Sequence, residues 1–126
     1  MTADLTTPVG IESKLRDLVT DLAGAQQALA RVRDEEVRAK HAYEAVRRAA
    51  LLSEECPKVA RGTVTTAERD AWVDEQTKRE CWLYELAEAK REAAQDHLRT
   101  VRDQAMIVMS LNNSVRTAYN VAGSGR

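Results

Sequence analysis

From Ile11 to Ala50, apolar residues recur at alternating spacings of four and three, interrupted once by a charge, at Glu36. The series is Ile11, Leu15, Leu18, Leu22, Ala25, Leu29, Val32, Ala39, Tyr43, Val46 and Ala50. An α-helix turns once in about 3.6 residues, so a mean spacing of about 3.5 keeps one narrow seam facing one partner helix. A strand alternates with a period of two, and a loop needs no period. The seam therefore predicts an all-α chain: a long antiparallel helical hairpin, in effect a coiled coil whose partner helix comes from the same chain.

Composition agrees with a thin core. Charged residues make up 31%, aromatics 4%, and phenylalanine is absent. That mixture suits long helices better than a thick globular interior. With 126 residues the chain is one domain at most. The formal net charge is −1, so any basic surface must come from uneven placement of charge. Met1 to Gly10 lacks the basic start and apolar run of a signal peptide. The longest apolar run, Ala105 to Met109, is far too short to cross a bilayer. The expectation is a cytoplasmic protein with no membrane partner, its Cys56 and Cys81 free thiols.

Helix boundaries follow from local chemistry. Residues 1–10 read as a flexible tail, and helix 1 is expected over about 11–53. Pro57 lacks a donor and restricts Cys56 before it, so the chain should turn over 54–65, with Gly62 in the turn. Thr65 and Glu68 form a T-x-x-E capping box, which starts helix 2 at about 66. That helix is expected to reach about 119, leaving 120–126 as a second flexible tail. Helix 2 carries its own, noisier seam: Val73, Thr77, Glu80, Tyr84, Ala87, Arg91, Ala94, Leu98, Val101, Ala105, Val108, Asn112, Val115 and Tyr119. Folding the two seams back at Arg61-Gly62 sets Ala39 against Tyr84, Ala25 against Leu98, and Leu18 against Ala105. Large then faces small in each layer. The same register puts Glu36 within a layer of Arg91, Arg47 near Asp74 and Arg33 near Glu88. Ion pairs in and beside a seam chiefly specify register.

No glycine-rich phosphate loop, nucleophile elbow or dinucleotide fingerprint occurs in the sequence. His41 and His97 fall at separate places along the expected hairpin, roughly 22 Å apart at about 1.5 Å per residue, too far to share a metal or a proton. The expectation is a non-enzymatic protein with no cofactor or metal.

Nucleic-acid binding has more support. Arg31, Arg38 and Arg48 lie away from the seam of helix 1, Lys58 and Arg61 extend them into the turn, and Arg99, Arg102 and Arg116 occupy an acid-poor stretch. Such groups can track phosphates, and Trp72 or Trp82 could stack on bases. Asp34, Glu35 and Glu44 lie among the bases, so in one chain the same residues read better as a solvated mixed-charge face. Repetition around an oligomer would multiply a modest patch. Helix 2 supplies a reason to assemble. A second apolar stripe, Trp72, Trp82, Leu86, Ala89, Ala93 and Ile107, runs along its back, with Met106, Met109 and Leu111 widening it. A single hairpin cannot cover both stripes, so self-association into a bundle or ring is expected.

The layout over about residues 25–123 resembles the phage recombination mediators of the UvsY type: short helical chains with a basic first helix, a turn, and a long second helix ending in an amphipathic stretch. Most of the likeness lies in the segment from Met106 to Gly123, with its Arg116-x-x-Tyr119-x-x-Ala122-Gly123 ending, and a looser point of contact is Ala42-Tyr43. The chain departs from the pattern in being close to neutral. The resemblance implies a homo-oligomeric, single-stranded-DNA-binding accessory protein of phage recombination or replication, acting in the host cytoplasm. Its further partners would be a recombinase, which it helps to load, and a single-strand-binding protein. A scaffolding coiled coil that binds only protein is the alternative reading.

Overall fold

The computed structural model describes residues 4–124. They form three helices, α1 (Pro8–Leu52), α2 (Thr66–Gln76) and α3 (Lys78–Ser124). Among the described residues there is no strand, only an isolated antiparallel bridge between Ala60 and Val64 in the turn. The long α1 and α3 pack together.

Three boundaries differ from expectation, each for a local reason. α1 begins at Pro8, inside the expected tail. Proline suits the first helical position, where its missing N–H would have no partner in any case. Thr7 before it accepts the Gly10 N–H on its hydroxyl at 3.1 Å, an N-cap contact. Gly10 is also where the preceding turn folds back, and a Cβ there would overlap the Asp4 carbonyl. Helix 2 is divided at Thr77. The Thr77 backbone departs from helical values (φ −110°, ψ 10°), while its buried hydroxyl donates to the Val73 carbonyl at 2.8 Å. Such back-bonding to the preceding turn bends helices. The α-helical bonds carry through the bend, from Thr77 N–H to the Val73 carbonyl and from Cys81 N–H to the Thr77 carbonyl, both 3.0 Å. Finally, α3 runs on to Ser124, so residues 120–124 of the expected tail are helical. The outermost tail residues, 1–3 and 125–126, lie outside the described residues.

The connection between α1 and α2 is closely bonded. Thr63 N–H donates to the Ala60 carbonyl at 3.1 Å and Ala60 N–H to the Val64 carbonyl at 3.2 Å. Gly62 sits at φ +86° between them, a left-handed conformation that disfavours any side chain. Thr65 caps α2 by accepting the Glu68 N–H at 3.1 Å. That is the forward half of the capping box.

Two compact units divide the chain. One holds the chain up to Ala30 and from Ala93 on, and the other is Arg31–Glu92. In the first, Ile11, Leu18, Val101 and Val108 form a buried cluster, with Leu15, Leu22, Ala105 and Val115 packed around it. Ala25, Leu29 and Leu98 are buried as well. Each large side chain so buried contributes about 1.5–3 kcal/mol.

The Arg31–Glu92 unit is held differently. Val73, Thr77, Ala87 and Cys56 are its buried residues, and the rest of its seam is half-buried. The Arg91 Nε donates to Glu36 Oε2 at 2.6 Å, with each side chain 23% exposed. Arg47 Nη1 meets Asp74 Oδ1 at 3.3 Å. Arg33, expected near Glu88, is exposed and makes no ion pair among the described residues. Tyr84, expected opposite Ala39, has its ring against Tyr43 one turn further along α1, centroids 6.1 Å apart and planes tilted by 35°.

Candidate interaction surfaces

The sequence-predicted basic residues are all exposed, and they divide between the two units. Arg31, Arg38 and Arg48 project from α1, and Lys58 and Arg61 from the turn, within the Arg31–Glu92 unit. Arg99, Arg102 and Arg116 belong to the other unit. At about 100° per residue, Arg31 and Arg38 share a line on α1, while Arg48 lies about 80° round the helix from Arg38. Two of the set are already paired within their own helices. Arg38 contacts Asp34 at 3.1 Å and Arg99 contacts Asp96 at 3.5 Å. These pairs are largely exposed, so each is weak enough to yield to a stronger anion.

The second stripe is exposed almost throughout. Trp82 is 59% and Ile107 63% accessible, and Leu86, Ala89 and Ala93 are also exposed. Trp72 differs, being half-buried within its own unit. Met106, Met109 and Leu111 are exposed as expected. Sequence reasoning passed over Leu83, Val37 and Val19, which are exposed too. None falls on either seam, so only their distance from the seams could have marked them.

The electrostatics of the Arg31–Glu92 unit centre on three groups. Glu36 hydrogen-bonds Arg91 and holds its guanidinium above the ordinary arginine value, against the opposing effect of burial. Burial opposes the charge on Arg47 too, but hydrogen bonds to Asp74 and Tyr43 outweigh it and raise its pKa. Burial is also the main reason the Tyr43 hydroxyl is pushed above its usual value of 10.0, and the neighbouring Cys81 thiol pushes the same way. Tyr43 and Cys81 line a shallow cleft of about 520 Å³ together with Asp74, Thr77, Lys78, Trp82 and Glu85. The Cys81 thiol donates to Glu85 Oε1 at 3.7 Å. Covalent catalysis needs a nucleophile held by a base that a third group orients, and no such trio is formed by these contacts.

Cys56 and Cys81 are both free thiols. No group of three metal-ligating side chains occurs among the described residues. No helix among them is long and apolar enough to cross a membrane. The described surface presents exposed guanidinium groups, the exposed Trp82 and exposed apolar side chains on α3. No protein-family model matches the chain, and no curated protein or solved structure matches it.

Proposed function

We propose that the protein is a non-enzymatic, homo-oligomeric accessory factor that binds single-stranded DNA. The layout and the Met106–Gly123 pattern resemble phage recombination mediators, so the reading extends to helping load a recombinase onto DNA coated by a single-strand-binding protein. The supporting observation is that Arg31, Arg38 and Arg48 on α1 and Lys58 and Arg61 in the turn are all exposed, on the unit that also exposes Trp82. Guanidinium groups bind phosphates, and an exposed indole gives a base a face to stack on.

A specific observation favours a second reading. Arg38 and Arg99 already have carboxylate neighbours and the chain carries a net charge of −1, as suits a scaffold that binds only protein. Anisotropy of a labelled oligo(dT) separates the two. Phosphate contacts release counterions, so affinity should fall steeply between about 50 and 200 mM salt. Replacing Arg31, Arg38 and Arg48 by alanine should weaken binding to all sequences alike and flatten that slope. If the wild-type assembly shows no salt-sensitive binding, the scaffold reading replaces the mediator.

A further inference from the structure

α3 carries a second heptad-like series beyond Ala93. Ile107, Leu111, Ser114 and Ala118 follow one another at spacings of four, three and four, and all four are exposed. They lie about 110° round the helix from the seam of Val101, Ala105, Val108, Asn112 and Val115, whose residues are buried or half-buried. An angle of that size is what a bundle helix needs to touch two neighbours at once.

The partner can be read from charge. Between Gln104 and Ser124 the only charged residue is Arg116, and it projects from nearly the opposite side of the helix to the stripe. A partner with a charged rim would lose hydration here and find no opposite charge in return. A copy of the same surface meets no like charge. It also meets no unsatisfied polar flank at Thr117, whose hydroxyl donates to the Asn113 carbonyl at 2.9 Å.

We infer that two copies of the chain pair through this stripe, with their α3 helices antiparallel about a two-fold axis passing between Asn112 and Asn113. Side-chain size selects that arrangement. Antiparallel pairing sets Ile107 on Ala118 of the second copy and Leu111 on Ser114 of the second copy, and symmetry repeats both layers. Every layer then holds one large and one small side chain, as even packing requires. A parallel, in-register pair would stack Ile107 on Ile107 and Leu111 on Leu111, then leave the Ser114 and Ala118 layers underfilled. Ser114 can turn its hydroxyl onto its own helix when it is dehydrated, as Thr100 and Thr117 already do. The inference rests on the self-association in the proposed function and specifies its geometry.

The test uses the full chain with Cys56→Ala and Cys81→Ser, checked for unchanged helical content. L111C and S114C are made separately, one with a mass tag, then mixed and oxidised under mild conditions. The expected result is a mixed disulfide that outnumbers either homodisulfide. Predominant homodisulfides, or no disulfide, would overturn the antiparallel register. In parallel, Ala118→Glu should shift the solution mass from an assembly towards one chain while helical content stays constant. An unchanged mass would remove this face from the interface. The wild-type mass separates the two levels. An assembly without the mixed disulfide defeats the geometry and leaves self-association standing, whereas a single chain defeats both.

Discussion

The two units fill one heptad repeat with different chemistry. In the unit built from the chain ends, the seam has a dry centre, with Ile11, Leu18, Val101 and Val108 in one buried cluster, while Asn112 is half-buried and Tyr119 exposed towards its end. In the Arg31–Glu92 unit the same repeat carries two carboxylates, Glu36 and Glu80, a guanidinium and two tyrosines. Apolar burial is favourable in almost any register that keeps the seam covered. A hydrogen-bonded ion pair is favourable in one register only, and a misaligned pair costs desolvation with no return. The dry unit therefore carries more of the stability, and the polar unit more of the alignment.

The largest expected effect tests the dry half of that contrast. Leu18 is 1% exposed within the cluster. Leu18→Ala should cost about 2–5 kcal/mol, the range for a buried leucine whose cavity closes only partly. Urea unfolding followed by circular dichroism reads the loss. Amide exchange should show it first in the segments flanking Leu18 and Val101. If Leu18→Ala proves milder than any change at Glu36, the division of labour drawn above is wrong.

The polar half predicts coupling more than loss. Glu36→Leu removes the 2.6 Å contact of Arg91 and leaves its half-buried guanidinium with the longer 3.9 Å contact to Glu92, so stability should fall. Adding Arg91→Leu should recover part of that loss, because residues in one network do not act independently. Strictly additive effects would mean that the 2.6 Å contact does not fix the alignment. The alternative outcome, a double variant as stable as the parent but of altered oligomeric mass, would sharpen the view that the pair specifies register.

A smaller effect is expected at the start of α2. Thr65→Ala loses the hydroxyl that accepts the Glu68 N–H, and such caps are worth about 1 kcal/mol. Thermal unfolding would show the shift, and Thr65→Ser should restore most of it. A null result would mean that α2 is held by Val73 and Thr77 alone.

How much of this was legible beforehand depends on whether a feature repeats. The seam of α1 could be followed from Ile11 to Ala50 because every turn votes again for the same face, and every residue of it is buried or half-buried. The pairings of Glu36 with Arg91 and Arg47 with Asp74 followed from the two seams and one turn. The bend at Thr77 did not follow. It depends on a single hydroxyl reaching Val73, and threonine fits an unbroken seam equally well. The early start at Pro8 was readable in principle, since Thr7-Pro8 is a cap followed by a proline-compatible first position. The apolar seam begins only at Ile11, so its period carries no information about those earlier residues. The interaction surfaces were legible as residues on outward faces, but not in their ion pairing. Whether Arg38 turns to Asp34 is a local rotamer choice that periodicity does not encode.

The smallest expected effect concerns pH and separates the units by chemistry alone. Burial raises the Tyr43 pKa above 10.0 in the folded chain, so the folded state holds that proton more tightly than the unfolded one. Its contribution to stability is complete below the unfolded value, about 10, and is lost as pH rises through the higher folded value. Stability should therefore be flat in this respect at neutral pH and decline in alkaline solution. Tyr43→Phe removes the ionisable group and should flatten that decline, whatever it does to stability at neutral pH. The dry cluster contains no ionisable side chain, so Leu18→Ala should lower the whole curve without changing its alkaline slope. Urea midpoints measured from about pH 7 to 11, bracketing the tyrosine range, would decide the matter. An alkaline slope unaltered by Tyr43→Phe would move the titration to another group.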